Sequence, residues 1–579
     1  MKISSSANWV DLQNGEKIFT WIHCLKKANP SVVVVIVGPI GPEYMHCHRS
    51  IRVLADQLAS QGMIAVRYDH FGMGNSTGNL EDEKIWENWV ASPKEIIANI
   101  ENQFDVTGIF IVCFRSGSLL LEGIDKLNQV KGLVYWFPYT RGAAFVRDMK
   151  TLDSALHLSN EKTDKTLDGG GYPITIETQK KLERINIVSQ PRLSIKNFMV
   201  ITDAEFSSKD RLSEVLINNE RSVEAIKLNG LRDMTRQAAL SKVPFDNIGV
   251  ICDWVKNKGK ADLKGDFKKL TFESPSVLNI KTFNEYVINI CSRRNIFAIL
   301  TQPVVSTSTL VVFPNAGLAH HIGPNRFHVD AARTLATEVG VATLRLDLSN
   351  IGDSVEIHDD NSHHPYPDSA AEDINNAVAF VKEQNGFDRI VLAGLCSGAH
   401  NVFHAALMNK YSVLGLVIIN PLTFYWQKGQ SIFEPEDNRV ESDTIHYQNN
   451  VRDIKKWISL FTNPSKLIEI GKFILKFLGS RVLKYINPIM ERIGLVEAPR
   501  LVRDMDSLFD RGTKVVVITS RTDPGYKILC SQAGKTISNA RKSEMFSSII
   551  IDDADHTFSS RESRKMLIKS IVDSVRRLI

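Results

Sequence analysis

Ile390-Val391-Leu392-Ala393-Gly394-Leu395-Cys396-Ser397-Gly398-Ala399-His400 is the stretch on which the reading of this chain turns. Apolar, β-branched residues run into Gly-Leu-Cys-Ser-Gly and then into helix formers, the pattern of a strand that reverses abruptly into a helix. The glycines carry the prediction. In so tight a reversal a Cβ at Gly394 or Gly398 is expected to clash, so the spacing puts Cys396 at the apex of a nucleophile elbow. Its sulfur is then exposed at a helix N-terminus, where free N–H groups and the helix dipole favour a thiolate, the reactive form. A buried structural cysteine between strand and helix is the competing reading.

Two downstream segments favour the reactive one. Residues 515–519 (Val-Val-Val-Ile-Thr) read as a strand opening into Ser520-Arg521-Thr522-Asp523-Pro524-Gly525. Residues 548–551 (Ser-Ile-Ile-Ile) read as a last strand, followed by Asp552-Asp553-Ala554-Asp555-His556-Thr557-Phe558. Nucleophile, acid and histidine thus occur in the order Cys396, Asp523, His556, each just after a strand. His556 is the expected base for the thiol proton, and Asp523 the residue that fixes its tautomer and stabilises the imidazolium. Asp552, Asp553 and Asp555 are rival acids, read as turn residues. Ser397 is a rival nucleophile, but it stands one position past the apex.

On these residues the chain resembles the α/β-hydrolase superfamily, and within it the serine aminopeptidase-like and esterase/thioesterase-like branch. Upstream, strand Thr309–Phe313 runs into Pro314-Asn315-Ala316-Gly317 and then His320-His321-Ile322-Gly323-Pro324-Asn325-Arg326. The resemblance implies that this loop gives one oxyanion-hole N–H, from Ala316, and that Ser397, next after the nucleophile, gives the other. Two preorganised donors typically contribute several kcal/mol. The following strand ends in Asp347-Leu348-Ser349-Asn350-Ile351-Gly352-Asp353-Ser354, similar to the family's D-x-x-G-x-G-x-S turn with one glycine replaced, read at Asp353. Cys396 is the departure from the usual serine. Dienelactone-hydrolase-like members and some carrier-protein thioesterases share it. The resemblance therefore implies attack on an ester or thioester and a covalent acyl-enzyme, resolved by water, an alcohol or an amine. It calls for no cofactor and no metal.

A length of 579 residues predicts more than one domain, and an internal repeat explains it. Residues 32–37 (Val-Val-Val-Val-Ile-Val) lead into Gly38-Pro39-Ile40-Gly41-Pro42-Glu43-Tyr44, and Ile64–Arg67 opens Tyr68-Asp69-His70-Phe71-Gly72-Met73-Gly74-Asn75-Ser76, an intact D-x-x-G-x-G-x-S turn. Strand Gly108–Val112 then meets Cys113-Phe114-Arg115-Ser116-Gly117, with Arg115 where the nucleophile belongs. A guanidinium stays protonated and cannot take an acyl group. Thr202-Asp203-Ala204-Glu205 echoes the acid loop, but Leu228–Met234 holds no histidine. The expected organisation is α/β with two tandem α/β-hydrolase domains, each a mostly parallel doubly wound sheet with a helical cap. Residues 1–262 form a degenerate domain and 270–579 a catalytic one, joined by a Lys/Gly-rich linker within Lys256–Lys269. In the degenerate half, Arg115, Ser116, His46 and His48 are candidates to line a pocket for an anion, against the plainer expectation of a relic core packed on the active half.

Composition narrows the partners. Hydrophobic content of 43% with 23% charged residues describes an ordinary globular chain, and the apolar runs are strand-length, too short to span a membrane. The N-terminal Met1-Lys2-Ile3-Ser4-Ser5-Ser6 has no signal-peptide core. Seven cysteines without paired spacing make neither a disulfide framework nor a zinc site; a reducing cytoplasm is the expected setting. A net charge of +5 is too small to argue for nucleic acid. Between Arg452 and Arg503, however, eleven Lys/Arg face four Asp/Glu. Family members insert a helical cap here, over about 425–505, and Ile454, Trp457, Phe461, Phe473 and Phe477 with interleaved lysines read as amphipathic helices. Its anionic partner is expected among an acidic carrier protein, a coenzyme A thioester and an anionic membrane surface, or the lysines are a solvated face. His320-His321 and His363-His364 lack metal-ligand spacing and read as pocket rim and surface loop. The alternative to an enzyme is a catalytically inactive α/β-hydrolase-fold binding or scaffold protein.

Overall fold

The computed structural model describes the whole chain except residues 1–2, 26–31, 105, 157–165, 206–208, 260–276, 292–294, 306, 355–362, 409, 428–429 and 431–497. Val32–Val37 sets the pattern of both halves: six consecutive β-formers, all buried, make a strand covered on both faces, which is what a parallel sheet with flanking helices requires. The strands of the first sheet are β1 (Ile3–Asp11), β2 (Lys17–Leu25), β3 (Val32–Val37), β4 (Ile64–Tyr68), β5 (Gly108–Phe114), β6 (Val130–Trp136), β9 (Asn197–Asp203) and β10 (Ser222–Leu228), with a separate ribbon of β7 (Leu167–Asp168) and β8 (Pro173–Ile174). The second sheet has β11 (Leu278–Asn279), β12 (Phe283–Cys291), β13 (Asn295–Pro303), β14 (Thr309–Phe313), β15 (Ala342–Leu346), β16 (Arg389–Leu395), β17 (Val413–Ile419), β18 (Lys514–Ser520) and β19 (Phe546–Ile551).

Their orders are β1-β2-β4-β3-β5-β6-β9-β10 and β11-β12-β13-β15-β14-β16-β17-β18-β19. In each, the leading strands pair antiparallel and the rest parallel. Apart from the added β11, the two orders are the same: the chain carries two α/β-hydrolase sheets in tandem.

Both sheets insert chain at the matching place, after β6 in the first and after β17 in the second. In the first half this is a helix over Gly142–Leu156, the β7–β8 ribbon and a helix over Ile176–Glu183. In the second half the expected cap lies almost wholly outside the described residues. Its expected end overlaps a described helix, Arg500–Asp510, which buries Leu501, Met505 and Leu508 in the second half's core cluster. The start of the expected linker is likewise structured. Lys256–Gly259 end the helix Phe245–Gly259, which packs Ile251, Cys252 and Val255 on the first sheet; the proposed division at 262 and 270 falls outside the described residues.

The halves meet across their antiparallel ends. Trp9, Phe19 and Trp21 cluster with Leu278, Phe297 and Ile299, and the Trp21 and Phe297 rings lie 4.7 Å apart. Around this apolar patch the polar contacts are reciprocal. Arg67, two residues before Asp69, pairs with Asp353; its counterpart Arg345, two before Asp347, donates to Asn75 Oδ1 at 2.8 Å. Asn75 and Asp353 occupy matching positions in their turns, so the contact approximates a two-fold. His320 and His321 are buried here, at 2% and 0% exposure, with His320 stacked 3.9 Å from His48. They are interface residues, which corrects the expectation of a pocket rim. His48 and Tyr44 of the first half pack on His320, and Asn75 reaches His321.

Candidate active site

At the end of β16 the backbone does what the glycines require. A Cβ at Gly394 would overlap the Gly398 carbonyl oxygen, and one at Gly398 would come within 2.7 Å of the Asn315 oxygen. Cys396 stands between them at φ 57°, ψ −118° and caps the helix Ser397–Leu407. A non-glycine residue there costs about 1–3 kcal/mol of backbone strain, retained where the surroundings hold it in place. Its side chain is partly exposed, unlike Cys24, Cys47, Cys113 and Cys252, which are buried.

Because β16, β17, β18 and β19 run parallel, the acid and histidine loops leave the same end of the sheet as the elbow. His556 Nδ1 lies 2.6 Å from Asp523 Oδ2, and Asp523 Oδ1 accepts the Gly525 N–H at 2.9 Å. Both carboxylate oxygens are used. About a third of the imidazole is exposed, yet Nε2 is buried and has no hydrogen-bond partner among the described residues. Burial alone would lower the pKa of His556; the hydrogen bond to Asp523, with the charge of Asp523 and the influence of Cys396 added, outweighs it and raises the pKa to about 10. No hydrogen bond joins the thiol to the imidazole among the described residues, a looseness common in unliganded sites. The rival acids are placed elsewhere: Asp552 pairs with Arg521 on the surface, and Asp555 accepts the Ser559 N–H at 2.6 Å.

Ser397, the rival nucleophile, is fully buried, and its Oγ accepts the Gly317 N–H at 2.9 Å. That bond ties the elbow to the loop after β14. Among the described residues no group accepts from the Ser397 or Ala316 N–H, the two donors expected to form an oxyanion hole. The loop itself is anchored from below: Asn315 Nδ2 donates to Asp347 Oδ1 at 2.7 Å, and Leu348 N–H to Asn315 Oδ1 at 2.6 Å. The turn after β15 departs from its sequence alignment. Gly352 is kept, packed where a Cβ would overlap the Asp347 carboxylate; the replaced glycine is Asn350 at φ 66°, matching Gly72 at φ 74°. Asp353 matches Asn75 instead.

Asn420 and Tyr366 were not singled out from sequence. Asn420, at φ 40° after β17, accepts the Ser520 N–H at 2.8 Å and donates to the His556 carbonyl at 2.8 Å, joining acid loop to histidine loop. An Asn ending a strand was its only signal. Tyr366, 5% exposed, has its hydroxyl unpartnered among the described residues; burial, then the nearby Cys396, pushes the phenol's pKa up. Nothing in Pro365-Tyr366-Pro367 marks it.

The first half repeats the scaffold with different residues at the matching places. Arg115 takes the apex at φ 51°, and its Nε donates to Glu43 at 3.0 and 3.2 Å while Nη2 donates to Tyr139 Oη at 2.7 Å. Ser116 is buried with the Ile40 N–H on its Oγ at 2.9 Å, the counterpart of Ser397. His46 is bonded to the Thr235 carbonyl, and His48 lies in the interface beside Asp353. The four residues expected around an anion pocket are thus separately engaged, and Glu43 already answers the one cation at the apex. A cleft of about 630 Å³ between the halves is lined by Glu43, His46 and Arg115 on one side and by Ala316, Gly317 and Thr557 on the other.

Among the described residues one group brings three metal-ligand-type atoms within 4.8 Å of one another, His321, Asp347 and Asp353. All three are committed. His321 and Asp347 bond each other at 2.8 Å, and Arg67 and His48, against the cost of burial, hold the Asp353 carboxyl well below its usual range. Of the second histidine pair, His363 Nδ1 lies 3.2 Å from the Asn350 carbonyl, and the His364 ring packs 4.3 Å from Trp426.

No protein-family model and no curated protein sequence matches the chain. Solved structures to which it is similar include the esterase Est1E from Butyrivibrio proteoclasticus with ferulic acid bound (14% identity, 44% of this chain and 98% of that one, TM-score 0.32). A proline iminopeptidase from Mycobacterium smegmatis is 13% identical over 44% of this chain and 99% of its own, with a TM-score of 0.33. Brefeldin A esterase, a bacterial homologue of human hormone-sensitive lipase, is 14% identical over 45% and 78%, with a TM-score of 0.31. Each likeness spans less than half of the chain. The fold assignment stands on the two sheet topologies and the functional reading on the site. Among the described residues no helix is long and apolar enough to cross a membrane.

Proposed function

We propose that the second half is a cysteine-dependent acyl hydrolase or acyltransferase acting on esters or thioesters, and that the first half is non-catalytic. One observation carries this reading: an Asp523–His556 pair with a buried, unpaired Nε2, at the same end of the sheet as a cysteine held at the strained apex of a strand-to-helix turn. In the reaction, the Cys396 thiolate attacks the acyl carbonyl carbon, a C–S bond forms, and the carbonyl electron pair moves to oxygen. The Ala316 and Ser397 N–H groups stabilise that charge. Collapse expels the leaving thiolate or alkoxide, which takes the proton held by His556. Water, or an alcohol or amine, then gives its proton to His556 and attacks the acyl-enzyme, and the Cys396 sulfur leaves. Asp523 keeps Nδ1–H directed and the imidazolium stabilised throughout.

The elevated pKa of His556 supports a resting state with the proton on the imidazole, the form a thiol nucleophile uses. The cleft between the halves is the proposed entry for the acyl group. A carrier-bound or coenzyme A thioester in the cytoplasm fits the basic Arg452–Arg503 segment, most of which lies outside the described residues. Arg115, tied to Glu43, and Asp203, with no histidine bonded to it among the described residues, support a first half without turnover. The test is to follow release of the leaving group from acyl thioesters with and without added alcohols and amines. A burst followed by slow turnover that acceptors accelerate is expected; no release from any donor would overturn the proposal.

A further inference from the structure

A chain of buried hydrogen bonds runs from the first half to the loop that carries Ala316. Asn75, 1% exposed, is fixed in orientation because its Oδ1 accepts from Arg345 Nη1 at 2.8 Å. Its Nδ2 therefore faces His321 Nε2, at 2.9 Å, as donor, which makes Nε2 the acceptor and leaves the ring proton on Nδ1. That proton meets Asp347 Oδ2 at 2.8 Å, while the backbone N–H of His321 donates to Asp347 Oδ1 at 2.7 Å. The same Oδ1 takes Asn315 Nδ2 at 2.7 Å, and Asn315 is bonded in peptide sequence to Ala316. Asn315, His321 and Asp347 are fully buried, so every polar atom in this relay depends on its neighbours for compensation.

We propose that Asn75 of the first half is a positioning residue for the oxyanion loop of the second, acting through His321 and Asp347. The inference rests on the proposed acyl chemistry for its catalytic readout, but not for its structural one. Nothing else in the described residues donates to His321 Nε2. Without Asn75 the neutral imidazole has a buried acceptor unpaired, and the ring is free to turn away from Asp347, loosening both ends of the 315–321 loop. The Ala316 N–H then loses its fixed direction. Errors of about 1 Å in such a group cost on the order of 100-fold in rate. The degenerate half would thus be retained because it completes the active one, although it catalyses nothing.

Asn75→Ala in the full-length chain separates the possibilities through three measurements. Acylation of Cys396 by a thioester, which needs the oxyanion hole, is expected to slow about 10- to 100-fold with little change in KM. Alkylation of Cys396 by iodoacetamide, which forms no oxyanion, is expected to stay within about twofold of wild type. Amide hydrogen exchange across 315–321 is expected to quicken at least about tenfold while β16–β18 keep their protection. Unchanged exchange and acylation would overturn the proposal. A parallel fall in alkylation, or protection lost across the second sheet, would overturn it too, because the residue would then be supporting the fold as a whole. If wild type takes no acyl group yet the variant's loop alone exchanges faster, the positioning role stands and the acyl reading falls.

Discussion

Two elbows built on one plan sit in this molecule, and the residues at their apexes have parted company. Cys396 and Arg115 share the left-handed backbone, at φ 57° and 51°, and the serine after each accepts an N–H from the facing loop at 2.9 Å. The chain beyond each apex differs. After Cys396 comes a helix of 11 residues; Arg115 is itself the first residue of a 3₁₀ turn of six, Arg115–Leu120. The cause is two residues upstream. Gly394 lets the first helical turn close over it, where a Cβ would meet the Gly398 oxygen, whereas Cys113 already carries a Cβ at that place. The supporting residues have diverged in step. Asp523 and Asp203 both accept an N–H two residues ahead, at 2.9 and 2.8 Å, but only Asp523 has a histidine for its other oxygen. Asn420 and Phe137 share the positive φ after the next strand, but only Asn420 can bridge the two loops. The turn is thus the same in both elbows while the side chains it presents differ.

The comparison can be broken most sharply at the apex. Cys396→Ala and His556→Ala should each lower thioester turnover by about 10³-fold or more with the fold intact, read by steady-state kinetics beside circular dichroism. Asp523→Asn should cost about 10²- to 10⁴-fold, because Nδ1 loses its acceptor and the wrong tautomer is favoured. Gly394→Ala should destabilise the second half by several kcal/mol in denaturant unfolding, in line with overpacking against backbone, whereas Cys113→Gly should change stability by about 1 kcal/mol or less. A smaller effect is expected from pH. Because the pKa of His556 is raised from 6.5 to about 10 in the fold, the stabilisation is complete below about pH 6.5 and is lost as pH rises towards about 10. Thermal unfolding measured over that window should show a steeper decline for wild type than for His556→Gln. Smallest of all, Arg115→Ala should leave turnover within about twofold of wild type.

Much of this site was readable along the chain because an elbow is a local object. Glycine spacing, strand periodicity and the order of nucleophile, acid and base all survive in a one-dimensional record, and the Asp523–His556 contact follows from them. Contacts between the halves do not. Asn75 and His321 are 246 positions apart, and no pattern around His320-His321 tells which surface the first half will cover, so the pair read as rim. The turn after β15 misled for a subtler reason. Asn350 adopts the positive φ of the glycine it replaces, as Asn does more readily than most residues, so the irregular letter was sought at Asp353 instead.

Intact-protein mass spectrometry after exposure to short acyl thioesters and activated esters tests the central claim most directly, with wild type beside Cys396→Ala and Cys396→Ser. An acyl adduct that maps to Cys396 in wild type, vanishes in the alanine variant and never appears in the first half is the predicted result. No adduct from any donor, with a Cys396 thiol no more reactive than the other six cysteines, would contradict it and leave two hydrolase-fold halves joined for binding alone.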